Sequence, residues 1–232
     1  MKSISERIGF MFLFDTHVHT KEVSPCGNVS AAKTVRLYHE AGYSGLCITD
    51  HLKRGYIRDH CFENWKEYIS CFLRGWHAAK AEGEQLGMDV LLGAELCLDE
   101  SVNEYLLFGI NEKFLYDHPD LYAKSLPELR KIADQNDILI FQAHPFRPEM
   151  ERADARLLDG VEAVNGNPRH NSHNELAAQF AEKNKLLVCA GSDCHEIEDV
   201  GRSGIRTQNR ICNLFDLKNI LKNGAFEYIS IR

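Results

Sequence analysis

The 232-residue sequence has no C-x-x-C pair among its eight cysteines, Cys26, Cys47, Cys61, Cys71, Cys97, Cys189, Cys194 and Cys212. Without that spacing a zinc ribbon or a thioredoxin-like centre is unsupported. Long apolar runs are also missing. The longest near the start is Phe10–Phe14, too short to span a bilayer and not followed by a small-residue cleavage site. Basic charge is in deficit: 27 Lys and Arg against 34 Asp and Glu leave −7 with histidine neutral. That balance argues against general binding to a nucleic-acid backbone, while a local basic pocket remains allowed. No repeat, linker or low-complexity tract interrupts the chain. These absences predict a cytoplasmic protein with reduced cysteines and no membrane attachment. They also predict one domain over residues 10–232 behind an N-terminal extension at 1–9, with Met1 and Met11 both open as the start.

What is present is a core and an excess of one side chain. Hydrophobic residues make up 44% of the sequence, enough to bury a real interior. Eleven histidines beside 34 carboxylates are raw material for metal ligation, provided they converge. Short β-branched runs alternate with helical patterns. Strands are expected at 10–16, 45–49, 89–94, 105–110, 138–143, 160–164 and 186–190. Helices are expected from Ser30 to Ala41, over 62–86, from Pro127 to Gln135, over 174–183 and over 214–221. This order predicts an α/β fold, a closed or nearly closed parallel barrel, with an open doubly wound sheet as the alternative.

The polar residues favour the barrel, whose site is built at the C-terminal ends of the strands. The first predicted strand ends in Asp15-Thr16-His17-Val18-His19 and the second in Thr49-Asp50-His51. The third ends in Gly93-Ala94-Glu95, the fifth in Ala143-His144-Pro145 and the sixth in Asn165-Gly166-Asn167. The seventh ends in Gly191-Ser192-Asp193-Cys194-His195. Only the fourth, ending near Asn111, lacks a strong ligand type. His17/His19 and Asp193/His195 have i, i+2 spacing, which puts both members on one face of an extended chain. Asp15 shares that parity and is expected to orient a histidine. Imidazole with carboxylate suits Zn, Fe or Mn better than Mg or Ca. His39, His60, His77, His118 and His173 read as surface or loop residues.

Five of these six motifs, all but Asn165-Gly166-Asn167, resemble, in order and over nearly the whole chain, the PHP (polymerase and histidinol phosphatase) family of metal-dependent phosphoesterases. The resemblance implies a distorted seven-stranded, TIM-like β/α barrel. It implies that His17, His19, Glu95 and Asp193 hold one metal, that Glu95 bridges to a second bound by His144, and that His51 and His195 belong to a third position. The family often supplies further ligands where this chain has Ser24-Pro25-Cys26-Gly27 and Asn111. Two divalent ions with an optional third (Zn, Mn or Fe) are therefore expected, with Cys26 available as a substitute ligand.

Two such metals can share a hydroxide and neutralise a phosphoryl group during in-line attack. Arg147 and Arg202 resemble positions where the family grips phosphate, and Arg169 lies in a loop expected at the same face. Asp193, His195 and His170 are the catalytic candidates, His170 as proton donor to the leaving group. The expected activity is hydrolysis of a phosphate ester on a small phosphorylated substrate. A histidinol phosphatase, a nuclease or nucleotide phosphodiesterase acting on nucleotides or oligonucleotides, and a non-catalytic metal-stabilised module are the alternatives. An amide-hydrolysing barrel is disfavoured, because no Lys stands at the end of a predicted strand. Substrate identity and oligomeric state stay open.

Overall fold

The computed structural model describes residues 11–58 and 62–230. The expected extension at 1–9, Met1, the Phe10 end of the first strand and His60 lie outside them. The β-branched runs form β1 (Phe12–Val18), β2 (Gly45–Ile48), β4 (Asp89–Cys97), β5 (Glu104–Phe108), β6 (Leu139–Gln142), β7 (Gly160–Asn165) and β8 (Leu187–Gly191). Three strands escape the sequence pattern: β3 (His51–Leu52), β9 (Ser203–Thr207) and β10 (Glu227–Ser230). The sheet runs β10-β9-β1-β2-β4-β5-β6-β7-β8, with β3 beside β4.

The path nearly closes on itself. Val18 bridges Cys194, Thr16 Oγ1 donates to Ala190 O at 2.9 Å and His19 N to Cys194 O at 3.0 Å. The result is a nearly closed, barrel-like α/β fold, but the all-parallel seven-stranded form needs correction. Nine strands follow one another along the path, and β5 is antiparallel to both β4 and β6. Only residues 98–103 separate β4 from β5, too few for the crossover that a parallel neighbour requires. The chain therefore doubles back. β9 and β10 add antiparallel pairs beyond β1.

The helices are α1 (Ala31–Glu40), α2 (Trp65–Leu86), α3 (Glu112–Asp117), α4 (Leu126–Asn136), α5 (Asn174–Asn184) and α6 (Leu214–Asn223). On α2, Asn64 caps by accepting from Glu67 N, and Gly87 ends the helix at φ 69°, a conformation glycine adopts without strain. Its Tyr68, Ile69, Phe72, Leu73 and Ala79 face the core. Ser125, Pro127 and Glu128 start α4 with a capping box. Ser30 occupies the N-cap of α1 but makes no side-chain cap. The Glu22 carboxylate instead accepts from Ala31 N at 2.9 Å.

Leu46, Leu106, Leu107, Phe108, Ile140 and Phe141 are fully buried, each contributing about 1.5–3 kcal/mol. Cys71 on α2 is disulfide-bonded, which corrects the expectation that every cysteine is reduced. Pairing depends on proximity in the fold, and sequence spacing does not report it. Cys47, Cys97, Cys189 and Cys194 are buried free thiols. Among the described residues, no helix is long and apolar enough to cross a membrane.

Candidate metal centre

One end of the barrel is lined by polar side chains. β1 brings in His17 and the loop after it His19. β3 brings His51, and β4 brings Glu95. The turn after β6 carries His144, and the segment after β8 carries Asp193 and His195. His17, His19, Glu95, His144 and Asp193 are at most 1% exposed and His51 is 8% exposed. The structure brings all seven expected ligand residues together.

His17 Nδ1 lies 2.9 Å from Glu162 Oε1, where a carboxylate accepts, so Nδ1 donates and Nε2 is turned toward the cluster. Glu162, buried on β7, also accepts from His144 N at 3.1 Å and from Asn165 Nδ2 at 2.9 Å. His17 Nε2 faces His19 Nε2 at 3.0 Å, Glu95 Oε1 at 3.3 Å and Asp193 Oδ1 at 3.6 Å. His19 Nε2 is 3.4 Å from Glu95 Oε2 and 3.3 Å from Asp193 Oδ1. His144 Nε2 lies 3.1 Å from Glu95 Oε1. The His195 ring stacks on His19 at 4.2 Å, with its Nδ1 2.8 Å from Asp193 O.

These atoms fit divalent cations. His51 Nδ1 is 2.7 Å from Glu95 Oε2, yet neither atom has a hydrogen-bond partner, and His144 Nδ1 has none either. Buried polar groups are almost always paired. Here ring nitrogens and carboxylate oxygens crowd together with several left unpaired, a donor set that suits a divalent cation. Among the described residues, four donor groups have ligand atoms within 4.8 Å of one another around this centre: His17 with His19 and Glu95; Glu95 with Glu104 and His144; His19 with His51 and His195; and His51 with Cys97 and Glu104.

The electrostatics follow from burial and crowding. Burial opposes the charged form of His17, but Glu162, Glu95 and Asp193 outweigh it and raise the proton affinity. Burial, then His195 and His51, lower that of His19. Burial would raise Glu95 and Asp193, but the neighbouring histidines, His17 foremost, hold both well below the usual carboxylate range. The Cys26 thiol at the rim is pulled down to about 6, its burial outweighed by hydrogen bonds with His195 and His51.

Two residues of this centre escape the sequence reading. Glu104 Oε2 lies 3.3 Å from His144 Nε2, and Glu104 also groups with His51 and Cys97. It stands at the start of β5, and because β5 runs antiparallel its first residue, not its last, reaches this end. Asn111, at the other end of β5, caps α3 by accepting from Phe114 N at 2.8 Å and lies at the opposite pole. Glu162 was hidden inside an apolar strand, where a lone carboxylate was the available signal.

Asp15 is corrected: it orients backbone rather than a histidine ring. Its Oδ1 accepts from His17 N at 3.0 Å and Ser192 N at 3.1 Å, and its Oδ2 from Tyr38 OH at 2.7 Å. That ties β1 to the segment after β8. Burial raises its pKa to about 6.

A cleft of about 270 Å³ opens over the cluster, lined by Cys26, Tyr56, Arg147, Arg169 and His170 among others. Arg147 Nη2 donates to Asp193 Oδ2 at 2.5 Å and to Asn165 Oδ1 at 3.2 Å, while its Nε has no partner. Arg169 grips buried Asp199 through two bonds of 2.8 and 2.6 Å. Arg202 is not among the residues lining the cleft; its backbone packs against Gly166.

Residues 15–191 match the PHP domain family, and residues 171–226 match a PHP-associated family. No curated protein matches the sequence. Among solved structures, the fold is similar to PsfC from Pseudomonas syringae (18% identity, 95% of this chain and 92% of that one, TM-score 0.68). It is also similar to a two-domain protein containing a predicted PHP-like metal-dependent phosphoesterase from Bacteroides vulgatus. That match has 17% identity and a TM-score of 0.67, and covers 95% of this chain and 65% of that one. A third similarity is to the lesion-specific endonuclease PfuEndoQ from Pyrococcus furiosus (14% identity, 95% and 57% coverage, TM-score 0.55). The chain thus spans less than two thirds of the length of two of these proteins.

Proposed function

The chain belongs to the PHP domain family, and from that premise we propose that it is a metal-dependent hydrolase of a small phosphate ester. The observation that carries this reading is the 3.0 Å approach of His17 Nε2 to His19 Nε2, flanked by the carboxylates of Glu95 and Asp193. His17, His19, Glu95 and Asp193 would hold one cation, Glu95, Glu104 and His144 a second, and His51 and His195 a third. Such ions (Zn, Mn or Fe) would supply the positive charge and the water activation that attack on phosphorus requires.

The chain's own side chains do the rest. Glu162 keeps the His17 ring aimed inward. Arg147 stands beside Asp193 and lines the cleft, where a guanidinium can grip a phosphate oxygen. Arg169 is anchored by Asp199 and extends the positive rim. His170 is exposed at the same rim, within the cleft lining, where it can deliver a proton to a leaving oxygen. Burial, then Arg147, lower its proton affinity, and a bound phosphate would act in the opposite sense. Arg202 has the least support as a phosphate contact.

The small cleft and the net charge of −7 favour a small monoester over a nucleic acid. A histidinol phosphatase falls within this reading. The test is metal analysis of the purified chain with a screen of phosphate monoesters and diesters, with and without chelator. Chelator-sensitive monoester turnover is expected. Diester turnover would redirect the reading to a nuclease or phosphodiesterase. Bound metal without turnover would leave a non-catalytic module, and turnover in metal-stripped protein would overturn the metal centre.

A further inference from the structure

Beneath the expected ligands lies a closed hydrogen-bond chain that joins Asp50 of the Thr49-Asp50-His51 motif to Thr20 and Ser24, which no motif contains. The Asp50 carboxylate accepts from Thr20 N at 2.7 Å, Thr20 Oγ1 at 2.6 Å and Ser24 Oγ at 2.7 Å. All three residues are buried, none more than 1% exposed. A hydroxyl owns one hydrogen and two lone pairs. The hydrogen of Ser24 is spent on Asp50, so toward every other neighbour Ser24 can only accept. Those neighbours are His51 N at 3.2 Å and His19 Nδ1 at 3.4 Å.

We infer that Ser24 is a positioning residue that holds His19 in its Nδ1–H tautomer and so presents Nε2 to the cluster as a lone pair. No other partner for His19 Nδ1 is found among the described residues, and the opposite tautomer would place two lone pairs against each other between two buried side chains. Asp50 sets the direction of the relay because an ionised carboxylate cannot donate. The same hydroxyl accepts from the His51 backbone N–H, so one side chain registers two histidines, one in the loop after β1 and one on β3. It does for His19 what Glu162 does for His17, with a neutral group that adds no charge to a crowded centre. Helix α2 closes over this chain at Gly75, where a Cβ would come 2.1 Å from Thr20 Oγ1 and 2.7 Å from Asp50 Oδ2.

The inference rests on the metal-centre reading, and its test separates the two. ¹⁵N-labelled full-length chain is examined by histidine ¹H–¹⁵N correlation, with and without zinc, and zinc affinity is measured by competition with a chromophoric chelator. The wild type is expected to show one His19 tautomer, protonated at Nδ1. Ser24→Ala should show a mixture and lose about 10–100-fold in zinc affinity. Asp50→Asn, whose amide can donate to Ser24 and free its hydrogen, should also unlock the tautomer; it decides the matter if Ser24→Ala does not fold. A single Nδ1–H tautomer in both variants, or unchanged zinc affinity, overturns the role of Ser24. A wild type with no affinity for zinc sinks the metal-centre reading itself.

Discussion

The two ends of the barrel are made from the same strands and follow opposite rules. At one end Glu95, Asp193 and the histidines are buried together, and two of these residues sit in left-handed backbone, His144 at φ 28° and Asp193 at φ 54°. Each such residue costs about 1–3 kcal/mol. At the other end Trp76, Val90, Leu92, Ile110 and Leu214 surround an apolar groove of about 520 Å³. Some charges there pair within a helix, Lys80 with Glu84 and Lys113 with Asp117, and Glu112 pairs with His77 of the neighbouring helix. The contrast teaches where stability is made and where it is used. The apolar body stabilises the fold, and the polar end uses part of that to hold buried histidines and carboxylates in one cluster.

The largest expected effect breaks the polar end alone. In His17→Ala or Asp193→Ala, chelator-sensitive phosphate release should fall to background, a loss on the order of 10³-fold or more, while far-UV circular dichroism keeps the folded spectrum. Unfolding of both variants would show that the two ends are not separable. The converse change is Leu107→Ala in the fully buried core. It should cost about 2–5 kcal/mol in urea unfolding, with the metal content of the folded fraction unchanged. A smaller effect is expected for Glu162→Gln. Loss of the carboxylate behind His17 Nδ1 should weaken zinc binding about 10–100-fold, measured by chelator competition. Smallest is Lys113→Ala, an exposed ion pair at the apolar end, which should move stability by less than about 0.5 kcal/mol and leave metal binding alone.

Much of the polar end was legible in the sequence because parallel strands announce their C-terminal ends. His17/His19 and Asp193/His195 carry the spacing of an extended chain, and His51, Glu95 and His144 each follow an apolar run. Glu104 was not legible, since its place depends on β5 running antiparallel. The reversal lies in the short connection between β4 and β5 rather than in the composition of β5. For the same reason Asn111 was assigned to the wrong end. β9 and β10 were missed because Ser203–Thr207 is short, contains Gly204 and becomes a strand only beside β1. Arg202 follows a glycine near the site in sequence, but its side chain is not among those lining the cleft.

The sequence by itself determined the class of the fold and most of the positions gathered at its polar end, because hydrophobic period and residue type act locally. The tertiary structure alone decided how those positions are completed. It set the direction of β5, which brings Glu104 to His144. It placed the carboxylate of Glu162 against His17, and it folded the loop that lets Asp50 and Ser24 reach His19. These are contacts between residues far apart in the chain, where proximity follows from strand order and packing, and no local pattern encodes it.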